Sequence, residues 1–241
     1  MQSGLYVSLS AQVALRKRMD TIANNVANMN TVGFRASEVK FEALLDKTGS
    51  ANVAFSSTGT DYISRRNGGM VKTDNPFDVA VQGEGWFAIR TAAGTAYTRD
   101  GRLNLSETGT LQDINGNPVL DAGATPIVID PTAGSPMIAS DGMITQGGNQ
   151  VGAIGLFRID PQAKLTRSSA GGLIPDRPAT PVLDFTTNGV AQGFVENSNV
   201  NPVMEMTKLI MVSHAFDSVS NMISSSESSL QDAIKTLGGA A

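Results

Sequence analysis

The sequence predicts an α+β protein, with long N- and C-terminal helices forming a coiled-coil core and a central, mainly antiparallel β domain. Three observations carry this. Apolar residues recur at helical three-and-four spacing at both ends of the 241-residue chain. Short β-prone runs separated by tight-turn dipeptides fill the middle. A polar, Gly- and Ser-rich stretch lies between the first helix and the β region. The expected organisation is residues 1–35 as helix and turn, 36–74 as connector, 75–197 as β domain and 198–241 as the second helix.

The first helix is expected over residues 3 to 28. Stepping by three and four from Met1 gives Leu5, Ser8, Gln12, Leu15, Met19, Ile22, Val26 and Met29, apolar except at Ser8 and Gln12. That is a heptad seam. Such a stripe also suits an amphipathic helix covering its own domain, but an equal stripe at the other end favours paired seams. It runs Leu209, Val212, Phe216, Val219, Ile223, Ser226, Leu230, Ala233 and Leu237. Pro202 stands where this helix would begin, where its missing N–H costs nothing, and Gly238–Gly239 would end it.

Where the first helix ends, Asn24, Asn25 and Asn28 cluster. Asparagine tolerates left-handed backbone and bonds nearby backbone groups, which suits a helix exit. Gly33 permits a backbone angle a Cβ would forbid, and Phe34 follows as an apolar anchor. SANVAFSSTGTDYISRRNGG then reads as an irregular, partly extended connector. The β runs are Phe77–Val81, Trp86–Arg90, Ala96–Arg99, Pro126–Ile129 and Ala153–Ile159. Asp100–Gly101, Asn115–Gly116, Asp141–Gly142 and Asn188–Gly189 are tight-turn signals favouring positive φ. Trp86 and Phe87, adjacent on one strand, are expected on opposite faces, one in the core and one on a contact surface or under the connector.

Composition narrows the function. Eighteen basic and 22 acidic residues give a net charge of -4 with no basic cluster, which argues against nucleic acid and anionic membrane as partners. No apolar run reaches a membrane-spanning length, so direct insertion is not expected. With no cysteine, disulfides and thiolate sites are excluded. Arg16, Lys17 and Arg18 follow the N-terminal apolar stretch instead of preceding it, unlike a cleavable secretory signal, so any export is expected to follow a route that keeps the N-terminus.

The search for chemistry comes out empty. His214 is the single histidine, so zinc and copper lack their usual ligands. GEGWFA at 83–88 matches GxGxxA but leads into a β run, not a helix. Asp113-Ile-Asn115-Gly-Asn117 resembles a calcium loop, with Pro118 where the loop needs glycine. No catalytic residue, cofactor or metal is expected.

Three stretches stand out as structural motifs: NNVANMNTVGF at 24–34, DVAVQGEGWFAIRTAAGTAYTRDG at 78–101 and FVENSNVNPVMEM at 194–206. In this order they resemble the signatures of the flagellar basal-body rod protein family. The opening MQSGLYVSLSAQ and Asn201–Pro202 are similar to its proximal-rod branch, with the distal-rod branch as the alternative. His214, where the family usually has arginine, and the serine-rich Ser224–Ser229 depart from the pattern.

The resemblance implies a structural, non-enzymatic subunit of the drive shaft that carries torque from motor to hook. It implies a place in the basal body across the periplasm. Other rod proteins, copies of the chain and the flagellar export apparatus are the implied partners. The expected assembly residues are the seams (Leu15, Met19, Ile22, Val26; Leu209, Val212, Phe216, Val219, Ile223, Leu230) and the motif residues Asn24, Asn25, Asn28, Gly33, Phe34, Ser198, Asn199 and Val200. A β-rich adhesin or carbohydrate-binding protein with oligomerising helices is the rival class, disfavoured by 5% aromatic content. A hydrolase on a β scaffold would need converging carboxylates.

Overall fold

A computed structural model describes residues 2–41, 43–48, 51–57 and 59–239, apart from the side chains of residues 2–4, 43–48, 51–56 and 230. The chain divides into two compact units. The first comprises Met1–Ala27, Ser37–Ser64 and Asn201–Ala241, and the second Asn28–Ala36 and Arg65–Val200. The class is α+β with mainly antiparallel β structure, as the sequence predicts.

The first unit holds two helices, α1 (Gln2–Ala27) and α2 (Pro202–Gly238). Asn201 caps α2, its side chain accepting from the Met204 N–H at 3.1 Å, and Pro202 fills the first helical position. Glu205 in the first turn and Lys235 in the last complement the helix dipole. The helices run antiparallel. Ser8 meets Met222 near one end and Asn25 meets Glu205 near the other, the same number of residues apart on each helix. Ile22 and Val212 are buried, and Leu15, Met19, Val26, Leu209, Phe216, Val219 and Ile223 are half-buried. The side chain of Leu230 lies outside the described residues.

The helices of one chain do not by themselves show the expected coiled-coil core. What one protomer contains is a single antiparallel pair, and a single pair shields only one side of each helix. The segment expected to be irregular is also strand-forming. Ser37–Lys40 pairs with Thr60–Ile63, and Ala43–Thr48 with Ala51–Ser56, both antiparallel. Lys17 ties α1 to this hairpin, donating to the Gly59 carbonyl at 3.0 Å and pairing with Asp61 at 3.1 Å. Among the described residues no helix is long and apolar enough to cross a membrane.

In the second unit a six-stranded antiparallel sheet has the order Leu165–Arg167, Leu173–Pro175, Gly94–Thr98, Trp86–Thr91, Leu156–Arg158, Thr180–Pro181. Period-two alternation gives its central strand two buried faces. Phe87 and Ile89 join the main core with Val79, Leu111, Val119 and Leu156, while Ala88 packs with Leu120 and Phe157 on the other side. Strand Val79–Gln82 pairs with Gly189–Gln192, and Met70–Lys72 with Phe194–Glu196. Both Trp86 and Phe87 are buried, so neither forms an open contact surface.

Two of the four expected turns have their glycine at positive φ, Gly116 and Gly142. Gly189 lies instead within a strand. Gly101 is required by close approach, since a Cβ there would sit 1.6 Å from the Val79 carbonyl oxygen.

Candidate functional site

Residues 28–34, 78–101 and 194–200 of the three sequence motifs meet in the second unit. After α1, residues 28–36 turn on two short backbone bonds, Thr31 N–H to the Asn28 carbonyl (3.1 Å) and Phe34 N–H to the Thr31 carbonyl (3.2 Å). Gly33 has φ +68°, and its N–H donates to the Glu196 carbonyl at 2.6 Å. Its backbone lies so close to the Arg99–Asp100 peptide that a Cβ would stand 2.2 Å from the Asp100 nitrogen.

Asn199 stitches the next residues. Its N–H donates to the Phe34 carbonyl (3.2 Å), its Oδ1 accepts from the Ala36 N–H (2.7 Å), and its Nδ2 donates to the Arg66 carbonyl (2.7 Å). The Phe34 ring lies 4.2 Å from the Arg167 guanidinium, which also donates to the Arg35 carbonyl. Ser198 is half-buried, its Oγ accepting from the N–H of the buried Val200. The chain leaving α1 and the chain approaching α2 are thus fastened side by side.

Beneath this stitch is a buried charge cluster. Glu196, 1% exposed, takes Arg35 Nη2 on Oε1 at 2.8 Å and Arg99 Nη1 on Oε2 at 2.9 Å. Oε1 also accepts from the Gly68 N–H at 2.7 Å. Both guanidinium groups face the Trp86 ring, at 5.4 and 5.2 Å from its centroid. Arg35 also donates to the Arg66 carbonyl and to Asn67 Oδ1, and Arg99 to the Gly83 carbonyl. The Nε atoms of both arginines are buried without a hydrogen-bond partner.

Burial lowers the Arg35 pKa to about 10, outweighing the attraction of Glu196, with Arg99 adding to the depression. Arg99 is lowered too, again chiefly by burial. Both remain protonated at neutral pH, so the cluster holds two positive charges and one negative. Such a cluster costs desolvation and contributes geometry more than net stability. It offers no nucleophile. Chemically it is a latch.

A prediction follows for the latch. Residues 28–200 should form a domain melting at least about 6 °C above one made of residues 65–200, because removing Arg35 takes a partner from the buried Glu196. Equal melting temperatures in calorimetry would show that residues 28–36 are not part of this unit's stability.

Of the other expected site residues, Asn28 belongs to the second unit and the rest lie in the helical unit. Asn25 is 2% exposed. Its Nδ2 donates to the Ser37 carbonyl (2.8 Å) and to Glu205 Oε2 (3.1 Å), and its Oδ1 accepts from the Ser37 N–H (2.8 Å). Asn24 is exposed and Asn28 half-buried. Sequence reasoning missed Arg35, Arg99, Glu196 and Glu205 as site residues. A signal existed for Glu205: one step back along the α2 seam from Leu209 falls on it, a carboxylate in an apolar row. Nothing in the sequence pairs the other three.

Comparison with known proteins decides what this arrangement belongs to. Family models match in chain order: "Flagella basal body rod protein" over residues 5–35, "Flagellar hook protein FlgE/F/G D1 domain" over 80–146 and "Flagellar basal body rod FlgEFG protein C-terminal" over 191–236. The flagellar basal-body rod protein FlgF of Mesorhizobium japonicum is 52% identical over 99% of both chains. The chain belongs to the flagellar basal-body rod protein family. As a rod protein it is a structural subunit of the flagellar basal body and not an enzyme.

Within the family it is most like FlgF. FlgF of Rhizobium meliloti is 46% identical over 99% of both chains, against 33% for FlgG of Bacillus subtilis over 97% of this chain and 98% of that one. The three stretches matched by the family models are those the latch joins: Arg35 ends the first, Trp86 and Arg99 lie in the second, and Glu196 lies in the third.

Proposed function

We propose that this rod subunit sits in the proximal rod and carries torque toward the hook. Its terminal helices pack among those of neighbouring subunits, as a multi-helix coiled coil lining the inner tube. The β domain makes the outer layer. In this reading segments 1–35 and 198–241 are the assembling ends, 75–197 is the outer domain and 36–74 braces the first helix. The partners are other rod proteins and further copies of the chain, in a rod crossing the periplasm. The export apparatus is a third proposed partner.

The observation that carries this is a second apolar stripe on each helix. Tyr6, Leu9 and Val13 are 60%, 50% and 52% exposed, and Val203, Met206 and Ile210 are 73%, 48% and 59% exposed. At about 100° per residue, these stripes lie roughly half a turn round from the buried Ile22 and Val212. Apolar stripes of this kind, facing away from the pair's own seam, suit further helices.

Motility separates the two faces. Leu9→Asp or Ile210→Asp should abolish or strongly reduce swimming and rod assembly, while the purified chain keeps its helix content, and its stability to within about 0.5 kcal/mol. Ile22→Asp should differ by unravelling the helix pair in the isolated chain, because it buries an unpaired carboxylate. Normal swimming by both outward-face variants, at normal protein levels, would sink the packing proposal.

A further inference from the structure

The helix pair poses a choice that its apolar residues do not settle. Each helix carries two opposed apolar faces. On α1 these are the Leu15–Met19–Ile22–Val26 face and the Tyr6–Leu9–Val13 face. On α2 they are the Leu209–Val212–Phe216–Val219–Ile223 face and the Val203–Met206–Ile210 face. Hydrophobic attraction is non-directional and roughly proportional to area, and in this antiparallel register Val203–Met206–Ile210 lies level with the Met19–Ile22–Val26 part of α1, so α2 turned about its axis would still bury apolar surface there. Something directional must choose.

We propose that the buried hydrogen bond between Asn25 and Glu205 makes the choice. It thereby decides which apolar stripe of each helix meets the other and which is left facing outward.

The geometry supports a selector. Glu205, 7% exposed, sits in the α2 seam row one step before Leu209, and its Oε2 accepts from Asn25 Nδ2 at 3.1 Å. Asn25 is itself held rigidly, because it exchanges bonds with both the N–H and the carbonyl of Ser37. Lys208 donates to the other Glu205 oxygen at 2.6 Å, which fixes the carboxylate from the side nearer water. Turning α2 to present its other face would carry the carboxylate away from Asn25 and leave a buried amide N–H without its acceptor. A single buried polar contact in an apolar helix interface is a known means of fixing one arrangement among several of similar hydrophobic energy.

The consequence for assembly, that the outward stripe is the one offered to neighbouring subunits, rests on the proposed function. Face selection within one chain does not.

Thiol accessibility in the full-length chain tests it, since the chain has no cysteine and each engineered thiol is read alone. Val212→Cys should react slowly with a maleimide and Ile210→Cys severalfold faster, matching their 4% and 59% exposure. Adding Glu205→Leu should move the two rates in opposite directions, Val212→Cys faster and Ile210→Cys slower, with helix content by circular dichroism preserved. Glu205→Gln keeps an oxygen acceptor for Asn25 and should keep the native ratio.

Unchanged rates in Glu205→Leu would overturn the proposal. So would both thiols becoming faster, which would make the bond a stability element and not a selector. Loss of the native ratio in Glu205→Gln to the same extent as in Glu205→Leu would overturn it as well. If the rates switch as expected while the outward-face aspartates leave swimming intact, face selection stands and the assembly reading fails.

Discussion

Replacing Glu196 with glutamine should lower the melting temperature of the chain by roughly 6–20 °C. The substitution keeps the shape and removes the single negative charge between two buried guanidinium groups. Breaking a buried ion pair by removing one partner costs about 3–5 kcal/mol, and each kcal/mol is about 2–4 °C in a domain of this size. Here two cations lose the same partner. Arg35 and Arg99 side chains are 1% and 3% exposed, so water gives little relief without opening the site. Trp86, lying against both cations, should report that opening by a shift in its fluorescence. Replacing all three charges together, with Arg35→Met, Arg99→Leu and Glu196→Leu, should restore much of the loss, because the desolvation cost goes as well. A Glu196→Gln chain that melts within a degree or two of the native one would mean that the three charges are not closed into a latch in solution.

Gly33→Ala is the second substitution with a large expected effect, and it acts through backbone alone. A left-handed φ costs a residue with a Cβ about 1–2 kcal/mol. At Gly33 the new atom would also stand 2.2 Å from the Asp100 nitrogen and 2.4 Å from the Arg99 carbonyl carbon. Both are main-chain atoms that no rotamer can move aside. The 28–36 segment must back away, and the Gly33 N–H bond to the Glu196 carbonyl goes first. A loss of about 3 kcal/mol or more is expected, a fall of roughly 6–12 °C in melting temperature. Gly116→Ala is the control, since Gly116 has φ +82° with nothing within 4 Å of a Cβ, so it incurs the torsional cost only. If the two variants lose equal stability, the close approach at Gly33 is not real.

Both substitutions strike the junction where the chain leaving α1 and the chain entering α2 are held together. That convergence explains the three motifs as one piece of architecture. TVGF brings a glycine against the peptide after Arg99, YTRDG supplies that peptide and one cation, and FVENSNVN supplies the carboxylate and the stitching asparagine. A latch of charge-assisted bonds and close backbone contact resists shear better than an apolar patch, which can slide.

The sequence by itself determined the class and the family, because both are written in local signals. Pro202, the Asn201 cap and Gly239 bound α2 almost where the seam spacing places it. The β domain follows from short runs and turn dipeptides, whose physics is contained within a few residues. The strands in 37–63 were missed because short, largely polar runs such as Ser37–Lys40 and Thr60–Ile63 owe their pairing to a partner strand and not to their own propensity.

Only the tertiary structure decided how the helices pair and what the motifs do. Two apolar stripes carry no direction, so nothing in their spacing distinguishes antiparallel from parallel, or one face from the other. Charge pairing is equally silent along the chain: Arg99 and Glu196 stand 97 residues apart and meet only when separate strands close over Trp86. Arg35 would have passed for a solvated residue beside a loop. Its burial goes with Gly33, whose close approach to the backbone of residues 99–100 brings Arg35, two residues on, inward onto a carboxylate that only the folded chain puts there.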